Sequence, residues 1–533
     1  MIVSLLRKSL IAICTILLSG VAALGAIGVY DWSATTTSGE PPVQIQYRLN
    51  IAGSVAIEIL DQAGRAVHTL GPFEETAGLQ IHQWDGSGAA NNGAYRVRIT
   101  ASSPGSGSPG TLVRLFGGQG SLSIYGLAID RFAESPGYGT IYVSNVIPGG
   151  RVRAYRPDGS VKTEFGTNGV LDLGFSTYPR NAPYGIGIDR LGCIYVSQTS
   201  VSQTQYGVKV FDYLGREMEQ YHVFPAQAKG IFWLEGLVGP QGPEVYESYG
   251  DQVRACVIGD TDWHTAIPAI AGTTPKQFCF ETGGQACYVA TYGPSSDPGE
   301  PNPGVSRYVR QSGGEWTRDA GFDCGLSGHL YGPLPASERV VGVSCDARAA
   351  GTPNGYGATS LWMGLDSRND TFGGNIVRKS LGDGALTFFG GPDSRSRFVA
   401  ADAVGNVAIE YGVPLGTDPL WSWWGLYAPC GEPSTDTRTT AAFVLAGSAS
   451  PEVLSTLSEL KARPDGTLVV MSAGKLVTAA YDGCFYIGEA LGSCGLKVKC
   501  ATPVAEGALV RVGGALGTEY GERVLEEAEV LEP

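Results

Sequence analysis

Three of the chain's five histidines, His222, His264 and His329, lie in its middle third, with Glu235 between the first two. Imidazole nitrogens can ligate a divalent metal and a carboxylate beside them can act as a base. A hydrolytic or lyase centre would draw on these four side chains. Their settings, "QYHVF", "DWHTA" and "SGHLY", contain no recognised catalytic motif. No two of these histidines stand at i, i+2 or i+4, the spacings that aim two ligands from one face. The plainer reading is isolated histidines on strands or loops. Two acidic stretches, "GDTDW" from Gly259 and "DSRND" from Asp366, offer oxygen atoms to calcium, but neither has the glycine and twelfth-position glutamate of an EF-hand loop. They read as solvated turns. No Gly-rich phosphate loop follows a strand and opens a helix. The nearest approach to a nucleophile elbow, "GLSGH" from Gly325, lacks the final glycine. No cofactor and no bound metal are expected.

Two further groups carry chemistry of another kind. "PLWSWWGLY" brings Trp421, Trp423 and Trp424 together. Exposed, they would make an aromatic platform for a glycan or a protein; buried, they are alternate rings of an inner strand. In "QFCFETGGQACYVA" a three-residue turn over Thr282 to Gly284 would pair Glu281 with Gln285. Cys279 would then oppose Cys287 closely enough for a disulfide. The alternative is two small apolar residues filling a sheet. Cys484, Cys494 and Cys500 gather near the C-terminus without indicating a connectivity, and the absence of any CxxC pair argues against structural zinc.

The elements that must position these groups are strands. Glycine reaches 77 of 533 residues and charged residues only 17%, against norms of roughly 7% and about 25%. Apolar runs are short and bounded by Gly or Pro, the mark of an all-β chain. With 37 basic and 51 acidic residues the net charge is −14, the wrong sign for neutralising phosphates, so nucleic acid is not an expected partner. The opening "MIVSLLRKSLIAICTILLSGVAALGAIGVY" has a basic pair, an apolar run and small residues suited to cleavage near Gly25 or Ala26. Residues 1–26 read as a signal peptide of a secreted or cell-envelope protein. The alternative is an uncleaved anchor, since Ser9 to Tyr30 is long enough to cross ~30 Å of hydrocarbon. No other membrane contact is expected. The eleven cysteines include Cys14 in this segment, and the even remainder suits an oxidising compartment.

Two boundaries divide the rest: the Gly/Ser/Pro linker "ASSPGSGSPG" and the stretch "AGSASPEV" near 446–453. Before the linker, "SVAIEILDQAGRAVHTL" alternates Val55, Ile57 and Ile59 with Ala56, Glu58 and Leu60, then turns. Between the boundaries one sentence is written three times. "IYGLAIDRFAESPGYGTIYVSN" and "PYGIGIDRLGCIYVSQ" align Asp130 with Asp189, and "RFVAADAVGNVAIEY" adds Asp402. Each copy is an apolar strand, an acidic turn and a second apolar strand, one blade of a propeller. The Asp is expected to accept backbone hydrogen bonds from its own turn. From 111 to 449 there is room for six blades of roughly 55 residues, or seven shorter ones. "TLVRLF" from Thr111 is placed to close the ring by pairing with the last blade.

Motif order then yields three resemblances. "WDG" and "NGAYRV", with Trp84, Asp85, Gly86, Gly93 and Tyr95 in sequence, are similar to the Ig-like domain of the FlgD family, a small β-sandwich here spanning 40–102. The repeats of 111–449 resemble NHL blades of exported bacterial propellers. The third unit, 452–533, with "GCFYIGEA" and "GALGTEYGER", resembles an OB-fold module. Its acidic last strand, "GERVLEEAEVLEP", lacks the lysines that a strand-binding groove needs. Together these imply a noncatalytic binding or scaffold protein whose partner is an extracellular protein or glycan. The competing implications are a propeller-channel enzyme of the metal-dependent lactonase or lyase type, using His222, Glu235, His264 or His329, and a surface carbohydrate binder using the tryptophans.

Overall fold

The computed structural model describes residues 26–532 apart from internal segments, the longest being 174–180, 219–232, 293–303, 327–339, 347–358, 366–375 and 413–421. Among the described residues the protein is all-β, with a single short helix, Leu457–Lys461. That helix is closed by a capping box in which Thr456 and Glu459 exchange hydrogen bonds with each other's backbone.

The first unit is a two-sheet sandwich. One sheet is formed by Val29–Thr35, Val43–Leu49 and Gly78–Trp84, the other by Ala94–Ser103, Gly53–Leu60 and Ala66–Glu75. Val55, Ile57 and Ile59 lie beside their strand partners Ala101, Ile99 and Val97 on the inner face of the second sheet and pack with Val43, Ile45 and Tyr47 of the first in one buried core, as period-two alternation requires. Trp84 is wholly buried and meets Tyr95 edge-on at 5.6 Å. Its indole N–H donates to Ser87 O at 3.1 Å, while Asp85 Oδ1 accepts the Ser87 amide at 2.9 Å and so holds the turn. The sandwich exceeds the span 40–102 expected from sequence. Val29–Thr35 supplies an edge strand, and Ser434–Thr439 and Phe443–Val444, inside the stretch 111–449 expected of the propeller, both pair with Ala94–Ser103. Composition marks linkers, whereas this pairing spans more than three hundred residues and leaves no local trace.

Six antiparallel sheets follow among the described residues. Their first strands are Ile124–Ile129, Asn181–Ile188, Leu234–Gly239, Thr274–Phe280, Val340–Cys345 and Ser396–Ala401. Each of these packs against the next and the sixth against the first, so they surround a common axis. The three sequence copies are the first two strands of the first, second and sixth sheets. The sixth sheet is completed by Leu112–Gly120, which pairs with Ser422–Pro429. This joins the two ends of the ring and leaves it without an open edge there. Gly117 is the tight point of the closure: a Cβ would fall on Trp424 O and Gly425 Cα. Gly117→Val is therefore expected to cost about 1–3 kcal/mol by overpacking, read as a lower urea midpoint of the full chain; an unchanged midpoint would show that the closing strand is energetically idle.

The last unit is a closed barrel. Lys475–Tyr481, Cys484–Gly488, Gly495–Lys499, Glu522–Glu532 and Leu509–Glu519 pair in that order, and the last returns to the first. The Gly495–Lys499 to Glu522–Glu532 pairing is parallel and the others in the ring antiparallel. Phe485, Ile487, Val498, Val512 and Leu525 fill its interior.

Candidate functional site

The axis of the propeller is the first place where chemistry-bearing side chains converge. Arg131, Glu235, Gln277 and Ser344 line it, with Phe132, Trp233 and Val399. First strands are sheet edges, so their free backbone groups must find partners there. Gln277 meets several: its Oε1 accepts the amides of Val343 and Val399, both at 3.2 Å, and its Nε2 donates to Val399 O at 2.5 Å. Ser344 Oγ accepts the Ala401 amide at 2.9 Å. Arg131, 6% exposed, donates to Phe280 O at 2.7 Å. Burial pushes the Glu235 carboxyl up to about 7, and the Arg131 charge opposes that rise. Among the described residues the cavity that these side chains enclose holds about 10 Å³, about one water.

The structure thus brings Glu235 to the axis but not His264. That histidine is exposed on the outermost strand of the same sheet, His264–Ile267, three strands from Glu235. His222 and His329 lie outside the described residues. Among the described residues no three His, Cys, Asp or Glu side chains gather as metal ligands. Asp260 and Asp262 of the "GDTDW" stretch form a turn in which Asp260 Oδ1 accepts the Asp262 amide at 3.2 Å; the "DSRND" stretch lies outside the described residues. Trp424 is 2% exposed and packs edge-on against Phe116 at 5.9 Å, so it belongs to the core and offers no platform. Trp421 lies outside the described residues, as does the side chain of Trp423.

The cysteine pairing expected from sequence is overturned. The turn is one residue longer: Glu281 pairs with Ala286, which sets Phe280 opposite Cys287 and Cys279 opposite Tyr288. A one-residue shift reverses the face of every side chain. Cys287 therefore packs between the third and fourth sheets and Cys279 between the fourth and fifth. Both are free thiols.

A recurring acid at the end of the first strands is the feature most visible in both sequence and structure. Asp189 Oδ1 accepts the amides of Leu191 and Cys193 at 2.9 and 3.0 Å, and its Oδ2 accepts the Tyr195 hydroxyl at 2.7 Å. Asp402 Oδ1 accepts three successive amides, Val404, Gly405 and Asn406. Asp130 binds the Ser135 hydroxyl and the Phe132 amide. Sequence comparison missed two equivalents, Glu281 and Asp346. Each directly follows its first strand; Glu281 accepts the Tyr288 hydroxyl at 2.8 Å, and Asp346 accepts the Thr359 amide and hydroxyl at 2.7 and 2.8 Å. The signal was an acid directly after an apolar strand, obscured because the following turn differs in length.

Several buried acids of the propeller, two of these turn acids together with Glu235 and with Glu247 on the second strand of the third sheet, hold protons well above the ordinary carboxylate range. Burial raises Asp130, Glu235 and Glu247 to about 7 and Asp402 to about 6. Between about pH 4 and those values the folded chain binds protons that the unfolded chain has released, so stability falls as pH rises. Thermal unfolding is expected to shift upward by several degrees between pH 8 and pH 5.5, at roughly 1 kcal/mol per pH unit for each titrating group. A flat profile over that window would show these acids ionised in the fold.

A second site lies where the three units meet. A cleft of about 180 Å³ is bounded by Asp31 and Trp32 of the sandwich, Glu134 and Tyr138 of the propeller, and Leu509 and Arg511 of the barrel. Its walls are tied across units. Tyr30 stacks on Tyr138 at 5.2 Å, Trp32 meets Tyr138 edge-on at 5.7 Å, and Arg438 lies over both Tyr138 and Trp32. Gln62 Nε2 donates to Glu529 Oε1 at 2.7 Å, Arg190 to Gly507 O, and Arg48 pairs with Asp158. Carboxylates, one arginine and two aromatic rings give a cleft suited to a polar ligand with an apolar face. Among the described residues no helix is long and apolar enough to cross a membrane.

No curated protein matches the chain by sequence. The solved structures that align with part of the chain include the following. The β-propeller domain of Myceliophteria thermophila Cps50 (Swd1) aligns at TM-score 0.34 and 9% identity over 59% of this chain and 99% of that one. A protein of unknown function from Bacteroides thetaiotaomicron aligns at 0.33 and 11% over 75% and 100%. A chain of a mitotic checkpoint complex aligns at 0.34 and 9% over 60% and 91%. The family assignment that sequence comparison supplies concerns one unit: residues 32–105 are a FlgD Ig-like domain.

Proposed function

We propose that the protein is an exported, noncatalytic scaffold that binds a protein or glycan partner through its propeller, at the cleft shared with the sandwich and barrel. The observation that carries this reading is the contrast between the axis, where the cavity among the described residues holds about 10 Å³, and an open three-unit cleft of about 180 Å³. A channel enzyme needs space for substrate beside Glu235, and Arg131, Gln277 and Ser344 fill it. The finer assignments belong to the same proposal: a signal peptide ending near Gly25 or Ala26, six NHL-type blades, and an OB-like barrel. The barrel's strand order, with one parallel pair closing the ring, supports the last.

The test combines fractionation, binding and turnover. The chain is expected in the cell envelope or medium, and to bind an envelope protein or glycan fraction. Ala133→Arg and Glu134→Lys, on the propeller wall of the cleft, are expected to weaken that binding tenfold or more without moving the melting temperature. Divalent-metal-dependent turnover of lactones or esters that disappears in Glu235→Gln would replace this reading with the channel enzyme.

A further inference from the structure

The displaced register gives Cys279 a different neighbour. Cys279 is the penultimate residue of the first strand of the fourth sheet and Cys345 the last of the first strand of the fifth, and these strands pack side by side. Both residues are fully buried in one cluster between the two sheets. The Cys345 thiol donates to Phe280 O, the carbonyl next in the chain to Cys279, at 3.0 Å. The Arg131 guanidinium, bound to the same Phe280 carbonyl, acts electrostatically on both sulfurs. Among the eight described cysteines, all of them free, this is a pair brought together from two different sheets beside a fixed positive charge.

We propose that Cys279 and Cys345 are the site of a disulfide that links neighbouring blades in the mature protein. It rests on the reading that the chain folds outside the cytoplasm, where disulfides persist. In the reaction one of the two cysteines, as thiolate, attacks the disulfide of a dithiol oxidase or of oxidised glutathione and expels one donor thiolate. The second cysteine thiolate then attacks the mixed disulfide and expels the other. Two electrons pass from the protein sulfurs to the donor, which leaves as two thiols carrying the two protons. Arg131 favours the thiolate in a setting where burial alone raises the Cys279 pKa well above its ordinary value. Because both sulfurs are inaccessible once the sheets pack, the bond forms as the blades close. It replaces the Cys345 donation to Phe280 O and leaves that carbonyl to Arg131.

The experiment is alkylation in denaturant without reductant, followed by peptide mass mapping. It is applied to full-length protein recovered from the envelope or medium, and to reduced, unfolded chain refolded in a glutathione buffer. The expected result is a Cys279–Cys345 cross-linked peptide two hydrogens lighter than its parts. Reductant is expected to lower the melting temperature by about 5–10 °C, a shift absent from the double variant C279S/C345S. Exported protein in which both cysteines are alkylated, or in which Cys279 is joined to Cys287 instead, overturns the inference while leaving export intact. If the chain is retained in the cytoplasm, the export reading fails and the refolded sample decides: the cross-link there supports the pair, and alkylation of both cysteines rejects it.

Discussion

Asp189→Ala is expected to destabilise the propeller by about 4 kcal/mol, whereas Asp212→Ala, in a turn of the same design, is expected to cost about 1 kcal/mol. Both carboxylates accept two amides of their own turn: Leu191 and Cys193 for Asp189, Leu214 and Arg216 for Asp212. What differs is water. Asp189 has no exposed surface and also holds the Tyr195 hydroxyl, itself fully buried. Its removal strands three donors away from solvent, at about 1–3 kcal/mol for each one that finds no substitute. Asp212 lies at the surface with Arg216, and water can replace it. Urea unfolding of the two variants under identical conditions checks the difference. Equal costs would mean that the buried acid is incidental and that the backbone alone closes these turns.

Arg131→Met should cost about 1–3 kcal/mol, the usual penalty for leaving a buried hydrogen-bonding group without its partner. It leaves Phe280 O without its donor and Glu235 without the nearby positive charge. The Glu235 carboxyl should then titrate above its present value of about 7, extending the falling limb of the stability profile toward alkaline pH. Glu235→Gln alone should be nearly neutral below pH 7, where the carboxyl is largely protonated, and at pH 8 should remove a carboxylate that the Arg131 charge stabilises. The double variant R131M/E235Q should recover at least about 1 kcal/mol relative to the sum of the single changes. A double-mutant cycle by urea unfolding at pH 8 measures this. Strict additivity would show that the two groups do not interact across the axis and that Arg131 serves the carbonyl alone.

The two substitutions illustrate how unevenly the candidate sites are written in the sequence. Asp130, Asp189 and Asp402 were legible as repeats because the acid, its turn and the strand after it form one contiguous unit, and the chemistry of the turn is local. Glu281 and Asp346 do the same work but escape alignment because the residues after them differ in number. Glu235 stands three strands from His264, and the charge that acts on it is that of Arg131, about a hundred residues away and unremarkable in its own stretch. The cleft of Trp32, Tyr138 and Arg511 was invisible, since its walls come from three units and each residue reads alone as an ordinary surface or turn position.

By itself the sequence determined the all-β class, the FlgD Ig-like domain, the repeated strand–acid–strand unit and the strand that closes the ring. Each of these depends on period-two alternation, turn chemistry or motif order within a few dozen residues. Only the tertiary structure decided which side chains meet. It returned Ser434–Val444 to the sandwich, packed the axis with Arg131, Gln277 and Ser344, buried Trp424, and turned Cys279 away from Cys287 into the cluster that holds Cys345. The physical reason is common to all four: strand pairing across long separations, and a hairpin register that one extra turn residue reverses, depend on the packing of whole sheets and not on any local preference of the residues involved.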